Sequence, residues 1–329
     1  MKLIKKNFIY LLSVPIFVCL SVSNVWSFEL KIDNPNFIPA EFKGFQRLGC
    51  GNGHLEVEYE SNFGMIDEQK YKSNECRIST AIVPWKRLML GIDLHYDIDR
   101  EYELKFGPLS NRAGEPNYYS SSSGFLDPEI VVAYEFESEK ESWNQQIYFK
   151  MNPFDIEEQP KKIFRGGHDI FLEYRFSHKY EEDSLYGRLY SHYFGKKNFY
   201  QPGDSRKSVK EAYTEVGLEL GYIWRPLKKW SFQLGGEFAL SSDYDVITPE
   251  LTKTADKGYL IGARFRINYA LTNETLLQFS HWRSSRVYNA TNEDRSNNLE
   301  IDYEIEEKSF FFALVYQFDM TNMLEGFIK

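Results

Sequence analysis

Hydrophobic and polar residues alternate with a period of two along most of this chain beyond its N-terminal region. In the segment 88–97, for example, Leu90, Ile92 and Leu94 alternate with polar positions such as Asp93. Successive side chains of a β-strand point to opposite faces of a sheet, so this pattern predicts strands with one apolar and one polar face. The pattern recurs in segments of about ten residues, separated alternately by short and by long polar stretches.

These segments predict an all-β protein, an antiparallel up-and-down β-barrel that crosses a membrane with about twelve strands. The predicted strands are 53–64, 74–84, 88–98, 124–136, 143–154, 168–178, 184–195, 210–224, 229–242, 258–270, 274–288 and 307–318. The short connections are predicted at 84–86, 137–142, 179–183, 225–228 and 272–273, and the long ones at 100–123, 155–167, 196–209, 243–257 and 289–306. Short inner turns and long outer loops are typical of bacterial outer-membrane barrels.

The alternation also predicts which side chains face lipid. In the first predicted strand Leu55, Val57 and Tyr59 are expected outside, with Glu56 and Glu58 inside. The last strand has an aromatic-rich outward row, which resembles the terminal strand that the barrel-assembly machinery of outer membranes recognises. That row is Phe310, Phe312, Leu314, Tyr316 and Phe318. The chain continues beyond it, so a C-terminal tail at 319–329 is expected.

The N-terminal region predicts export from the cytoplasm. Lys2, Lys5 and Lys6 precede an apolar run over 8–22, as in a cleaved signal peptide covering 1–27. Residues 28–52 contain prolines and glycines without sustained alternation, so we expect either a periplasmic leader or a segment inside the lumen. The barrel itself is predicted at 53–318.

Composition is compatible with this prediction. The mean hydropathy is only −0.49, but in a barrel the outward apolar and inward polar residues cancel in the average. A net charge of −9 disfavours nucleic acid as a partner. Aromatic residues make up 17% of the chain, and four tryptophans beside the short turns predict an aromatic girdle among outer-membrane lipids at the inner interface. These tryptophans are Trp85, Trp143, Trp224 and Trp230.

Two cysteines remain after the predicted signal peptide. In the predicted topology Cys50 and Cys76 lie at opposite ends of the first hairpin, roughly 20 Å apart by the rise of a strand. A disulfide needs Cα atoms within about 7 Å. We therefore predict two free thiols.

The inward rows carry charges of both signs, and we expect neither a cofactor nor a metal. The candidate residues of a solute path are Asp93, His95, Asp97, Glu135, Lys150, Glu173, Arg175, Arg188, His192, Glu215, Glu219, Glu237, Arg264 and Arg266. Charged walls would select solutes in a conduit, whereas salt bridges between the same residues would close the lumen. The spacing of Asp93, His95 and Asp97 is compatible with a metal or proton relay, but a hydrogen-bonded lumen histidine is the ordinary explanation.

A candidate for enzymatic chemistry is the segment 281–286, which includes His281 and Ser284. Outer-membrane phospholipases, also barrels of about twelve strands, use Ser, His and Asn, but here the spacing differs and their Asn-Gly pair is absent. In a continuous strand His281 and Ser284 would point to opposite faces, so they pair only if the strand ends or bulges. Alternatively, Arg283 and Arg286 meet lipid phosphates at the outer interface.

The segment Gly124 to Tyr134 resembles an element of outer-membrane proteins associated with the meta-pathway of phenol degradation. The resemblance implies uptake of small hydrophobic compounds and carries over no binding residue. The sequence as a whole predicts an outer-membrane channel or transporter for a small solute. The alternatives are an outer-membrane lipid hydrolase and a plugged barrel with a structural or surface-recognition role.

Overall fold

The computed structural model describes residues 33–61, 64–110, 113–138, 142–153, 167–200, 207–247, 252–292 and 301–321. Within these ranges the chain forms a single antiparallel sheet of seventeen β-strands. In chain order they are β1 Lys43–Ser61, β2 Gly64–Trp85, β3 Leu88–Phe106, β4 Tyr118–Phe125, β5 Glu129–Glu135, β6 Trp143–Met151, β7 Ile170–Tyr180, β8 Asp183–Phe194, β9 Lys197–Tyr200, β10 Lys207–Lys210, β11 Tyr213–Leu227, β12 Trp230–Ser241, β13 Tyr244–Ile247, β14 Thr252–Ala255, β15 Gly258–Ala270, β16 Thr275–Asn292 and β17 Ile301–Asp319.

The sheet closes into a barrel because its first strand pairs with its last. β1 pairs with β17 from Lys43 opposite Asp319 to Ser61 opposite Ile301, and it pairs with β2 on its other side. The remaining strands pair antiparallel around the wall, in part between consecutive strands such as β7 and β8 and in part between strands further apart in the chain, such as β8 and β11. Closure leaves the sheet without a free edge, as a structure surrounded by lipid requires.

The seventeen strands make up twelve barrel strands, because five barrel strands are interrupted. β4 and β5, for instance, both pair with β3 and are separated only by 126–128. The same relation joins β8 to β9, β10 to β11, β12 to β13, and β14 to β15. The predicted all-β fold of about twelve antiparallel strands is therefore confirmed.

The barrel wall is much taller on one side than on the other. β2 has 22 residues and β1, β3 and β17 have 19 each, whereas β6 has only 9. Several segments predicted as outer loops are in fact strand, notably 118–123 in β4 and most of 100–106 in β3. Beyond the lipid both faces of a strand meet water, so the apolar alternation that identifies a strand disappears there.

The predicted faces are correct for most of the barrel. In β3 Ile92 and Tyr96 are exposed on the outside while His95 and Asp97 are buried, and β7, β15 and β17 follow the prediction equally. The prediction for β1 is wrong, since Val57 is buried and Glu58 is exposed. Near its outer end this strand lies beyond the lipid, where charged residues face water and apolar ones pack inside.

The prediction of two free thiols is also wrong. Cys50 and Cys76 form a disulfide, with their Cα atoms 4.0 Å apart. β1 begins at Lys43 instead of residue 53, and the first two strands stay paired as far as Ser61 opposite Gly64. Both shifts bring Cys50 directly opposite Cys76 on adjacent strands.

The glycines that obscured β1 in the sequence allow close packing inside the barrel. A Cβ atom at Gly49 or Gly51 would lie within 2.7 Å of the Phe311 ring, which rests against this part of the wall. Among the described residues, no helix is long and apolar enough to span a membrane. The predicted signal peptide and most of the predicted tail lie outside the described residues.

Candidate functional site: the barrel lumen

Residues 33–39, here called the plug segment, lie inside the lumen at the end of the barrel that has the short turns. Asp33 is 1% exposed, and its carboxylate accepts two hydrogen bonds from Arg225, at 2.9 Å from Nε and 2.7 Å from Nη2. Arg225 belongs to β11, close to the turn at 228–229. A bidentate pair between a buried carboxylate and a guanidinium fixes both position and orientation.

Three further strands hold the plug segment. Gln233 of β12 donates to the backbone carbonyl of Asp33, and Gln146 of β6 donates to that of Asn36. The Asn36 amide in turn donates to the carbonyl of Phe176 in β7, at 2.8 Å. Contacts with β6, β7, β11 and β12 place the segment across the bore. Residues 43–52, for which the sequence predicted no strand, belong to β1.

A network of charges fills the middle of the lumen. Arg188 approaches Glu173 at 3.1 Å and Glu237 at 3.5 Å, and also contacts Glu219. Glu219 is shared with Arg264 at 3.4 Å, while Glu173 is shared with Arg175. The carboxylates of Glu173 and Glu219 are almost completely buried. Buried charges are tolerated only when they are paired in this way.

A second charged group lies on the neighbouring wall. Asp93, His95 and Glu129 each place a potential ligand atom within 4.8 Å of the others. Lys150 donates to Glu129 at 3.1 Å, so an ammonium already neutralises this carboxylate. Asp97, which the sequence placed with Asp93 and His95, instead lies 3.8 Å from Arg100.

Aromatic rings line the lumen toward its outer end. Tyr59, Tyr303, Tyr288, Tyr244 and Tyr213 follow one another around the inner wall, with ring centroids 4.6 to 5.8 Å apart. His192 lies between aromatic rings there, 3.9 Å from the ring centroid of Phe171. Aromatic side chains therefore form part of the wall in the outer section of the lumen.

Between the plug segment and the central network is a cavity of about 250 Å³. Its charged lining consists of five arginines and three acids, namely Arg47, Arg175, Arg188, Arg264, Arg266, Asp33, Asp93 and Glu219. Apolar side chains, including Phe45 and Met89, complete the wall. We refer to this space as the arginine cavity.

The candidate residues predicted from the sequence all lie on the inner face of the barrel. The structure brings Glu173, Arg175, Arg188, Glu219, Glu237 and Arg264 into one network. It places Glu215 apart from them, 3.3 Å from Arg286, and Glu135 near the short turns, 2.7 Å from the Asn144 amide. Whether these residues contact a solute stays a prediction.

His281 and Ser284 are not brought together. β16 runs without a bulge, so Ser284 points into the lumen and His281 points outward, where it stacks on Phe310. The prediction that both Arg283 and Arg286 face lipid headgroups is wrong for Arg286, which points inward to Glu215. Arg283 faces outward and lies 3.5 Å from Glu306.

The four tryptophans of the predicted girdle lie at the short-turn ends of β2, β6, β11 and β12. Trp85, Trp143 and Trp230 are exposed, and Trp224 is half-buried. Beyond this girdle the outer wall exposes many large apolar side chains, for example Leu234 and Phe238 on β12. In water this surface would be a large exposed hydrophobic patch.

Known structures share this architecture. The chain is similar to an outer-membrane channel from Pseudomonas putida F1, with 11% identity and a TM-score of 0.52 over 90% of this chain and 100% of that one. A FadL homologue from Pseudomonas aeruginosa has 8% identity, a TM-score of 0.40 and coverages of 84% and 90%. The protease OmpT from Escherichia coli has 7% identity, a TM-score of 0.37 and coverages of 84% and 97%. The last two are too distant to support an argument.

No protein-family model matches the chain, and no curated protein matches it. The similarity to the Pseudomonas putida channel therefore establishes the fold, which is that of a Gram-negative outer-membrane β-barrel. The segment 124–134 resembles the phenol meta-pathway group, and the relation that this resemblance implies stays a prediction.

Some residues of the lumen were missed in the sequence. Arg47 lies in a stretch without clear alternation, and Asp33 lies before the first strand. Arg225 follows Trp224 in a predicted turn, where an arginine has no distinctive signal. Glu129 follows Pro128 and directly precedes an apolar run. Its inward direction could be predicted only from the position at which β5 begins, which the sequence does not show.

Proposed function

We propose that this chain is an outer-membrane channel or transporter that passes a small solute through its charged lumen. In this proposal the signal peptide at 1–27 is cleaved during export, and β17 is the strand that the barrel-assembly machinery recognises. The plug segment closes the inner end of the lumen until it is displaced. The observation that carries the proposal is a polar bore whose inner end is occupied by a peptide segment bound to the surrounding strands.

The outer surface supports a membrane location. Large apolar side chains are exposed around the wall, and aromatic residues occupy the short-turn rim, where their rings prefer the headgroup level. The charged side chains Arg175, Arg188 and Arg264 all point inward. An arginine facing lipid near the midplane would cost about 2–4 kcal/mol.

The contacts of the plug segment support a gate. They are mainly hydrogen bonds to Arg225, Gln233 and Gln146, and Ile38 adds a small apolar cluster with Val83 and Met89. Water can replace the neutral hydrogen bonds of Gln233 and Gln146 at little net cost, since a typical intramolecular one contributes only about 0.5–1.5 kcal/mol, so the Asp33–Arg225 ion pair is the main contact that holds the segment. A segment held in this way can leave without unfolding the barrel.

Conductance of purified protein in planar bilayers tests the proposal. We expect discrete current steps whose ion selectivity shifts in Arg188→Gln, because that side chain lies in the bore. The matched control is Arg283→Gln, which removes an arginine from the outer face and should leave selectivity unchanged. Currents insensitive to Arg188→Gln would not pass through this lumen.

The plugged barrel is the second candidate, and the buried network around Glu173 and Glu219 favours it. A lumen crossed by ion pairs and closed by a segment is rigid. Bilayers that remain silent with the wild-type protein, and also after the plug contacts are removed, would support a structural or surface-recognition role and contradict the channel.

A further inference from the structure

The arginine cavity contains two guanidiniums without an acidic partner. Arg175, Arg188 and Arg264 are each paired with Glu173 or Glu219. Among the described residues, no ion pair joins Arg47 or Arg266 to a carboxylate, and the Nε atom of each is buried without a hydrogen-bond partner. Buried guanidinium groups that lack an acceptor are costly.

The two unpaired arginines act on the same space. Both line the cavity, and their charges repel each other. Arg266 makes one long hydrogen bond, 3.4 Å, to the Gln233 side chain, and Arg47 lies 5.2 Å above the Phe311 ring. Asp93 attracts Arg47 and Glu219 attracts Arg266, each from beyond ion-pair distance. Glu219 is already paired with Arg188 and Arg264, so Arg47 and Arg266 leave an excess of positive charge that one further anionic group would balance.

The remaining lining indicates what carries that charge. Phe37, Phe45, Met89, Val131, Tyr148 and Val315 give the cavity an apolar side. Its volume of about 250 Å³ is below the usual range for drug-sized ligands. Guanidinium groups match a carboxylate in geometry as well as in charge. The tyrosines nearer the outer end would let a flat apolar body pass by stacking.

We propose that the arginine cavity binds a small organic carboxylate, with its anionic group on Arg47 and Arg266 and its apolar body against Phe45 and Met89. This inference rests on the proposed channel function and names the class of solute. The site lies directly on the outer side of the plug segment, so a bound solute would be held next to the closed inner end of the lumen.

Equilibrium titration of the refolded protein in detergent tests binding without requiring conduction. Benzoate is the probe, benzamide is its uncharged counterpart, and inorganic phosphate is an anion without an apolar body. We expect benzoate to bind at least tenfold more tightly than either, a difference of about 1.4 kcal/mol. Arg47→Gln and Arg266→Gln should each weaken benzoate binding at least tenfold.

Two further variants separate loss of the site from loss of the fold. Arg286→Gln removes a lumen arginine that does not line the cavity and should change benzoate affinity less than twofold. Asp93→Asn removes the competing carboxylate and should strengthen benzoate binding, which a damaged barrel would not do. Equal binding of benzamide, tighter binding of phosphate, or indifference to Arg47→Gln and Arg266→Gln would overturn the carboxylate site.

The two proposals fail in different ways. Benzoate binding that depends on both arginines, in a protein that never conducts, supports the site and contradicts the channel. Conductance that depends on Arg188 without benzoate binding supports the channel and contradicts the site.

Discussion

Asp33→Asn should release the plug segment while leaving the barrel intact. Asparagine keeps the shape of the side chain but removes the charge that pairs with Arg225. Breaking one partner of a buried pair costs about 3–5 kcal/mol. The loss should be smaller here, about 2–3 kcal/mol, because Arg225 keeps the Glu182 carbonyl at 2.7 Å and the Ser184 hydroxyl at 3.1 Å.

A loss of 2–3 kcal/mol from the closed state alone would raise the ratio of open to closed channels by roughly 30- to 150-fold. Single-channel recording measures this ratio directly as open probability. The control is Asp169→Asn, which removes a carboxylate from the opposite end of the barrel, where it pairs with Lys197 at 3.0 Å. An unchanged open probability in folded Asp33→Asn protein, or an equal rise in Asp169→Asn, would refute the assignment of the plug segment as a gate.

Three other predictions follow from the structure. Replacing Cys50 and Cys76 together by serine should lower the free energy of unfolding by about 3 kcal/mol, because the disulfide joins residues 26 positions apart. Urea titration measures the change. Two reactive thiols in the unreduced wild type would contradict the disulfide. Glu173→Gln should lower the free energy of unfolding by about 3 kcal/mol, and it should shift the reversal potential of the channel toward anion selectivity. Glu211→Gln, which breaks an exposed ion pair, should lower the free energy of unfolding by less than about 1 kcal/mol. Ser284→Ala should leave any release of fatty acid from lipid unchanged, and abolition of such release would restore the hydrolase alternative.

The sequence predicts the barrel well where its wall contacts lipid. Val216, Leu218 and Leu220 in β11 alternate with inward residues such as Glu219, and a single shift of phase would expose charge to hydrocarbon. Because of that penalty the alternation has few exceptions along the lipid-facing strands, so the strands can be predicted from the sequence. The inward position of Arg264 and Arg266 follows from the same argument.

Pairing inside the lumen could not be predicted in the same way. Whether Arg188 contacts Glu219 depends on the register between neighbouring strands. The alternation of residues within one strand does not specify that register. The contact of Asp33 with Arg225 joins positions 192 residues apart, and no local pattern connects them. The outer extensions were missed because water on both faces removes the selection for alternation, as in 118–123 of β4.

The disulfide has a consequence for how the barrel wall is aligned. β1 holds Gly44, Gly49, Gly51 and Gly53, and a glycine-rich strand can slip along its partner because few side chains distinguish one alignment from the next. A slip by one residue would turn every side chain of the strand to the wrong face. This strand also completes the cylinder by meeting β17, so an error there would misalign the seam. The covalent link between Cys50 and Cys76 permits only one alignment of β1 with β2. The disulfide therefore fixes a register that the hydrophobic pattern of β1 specifies only weakly.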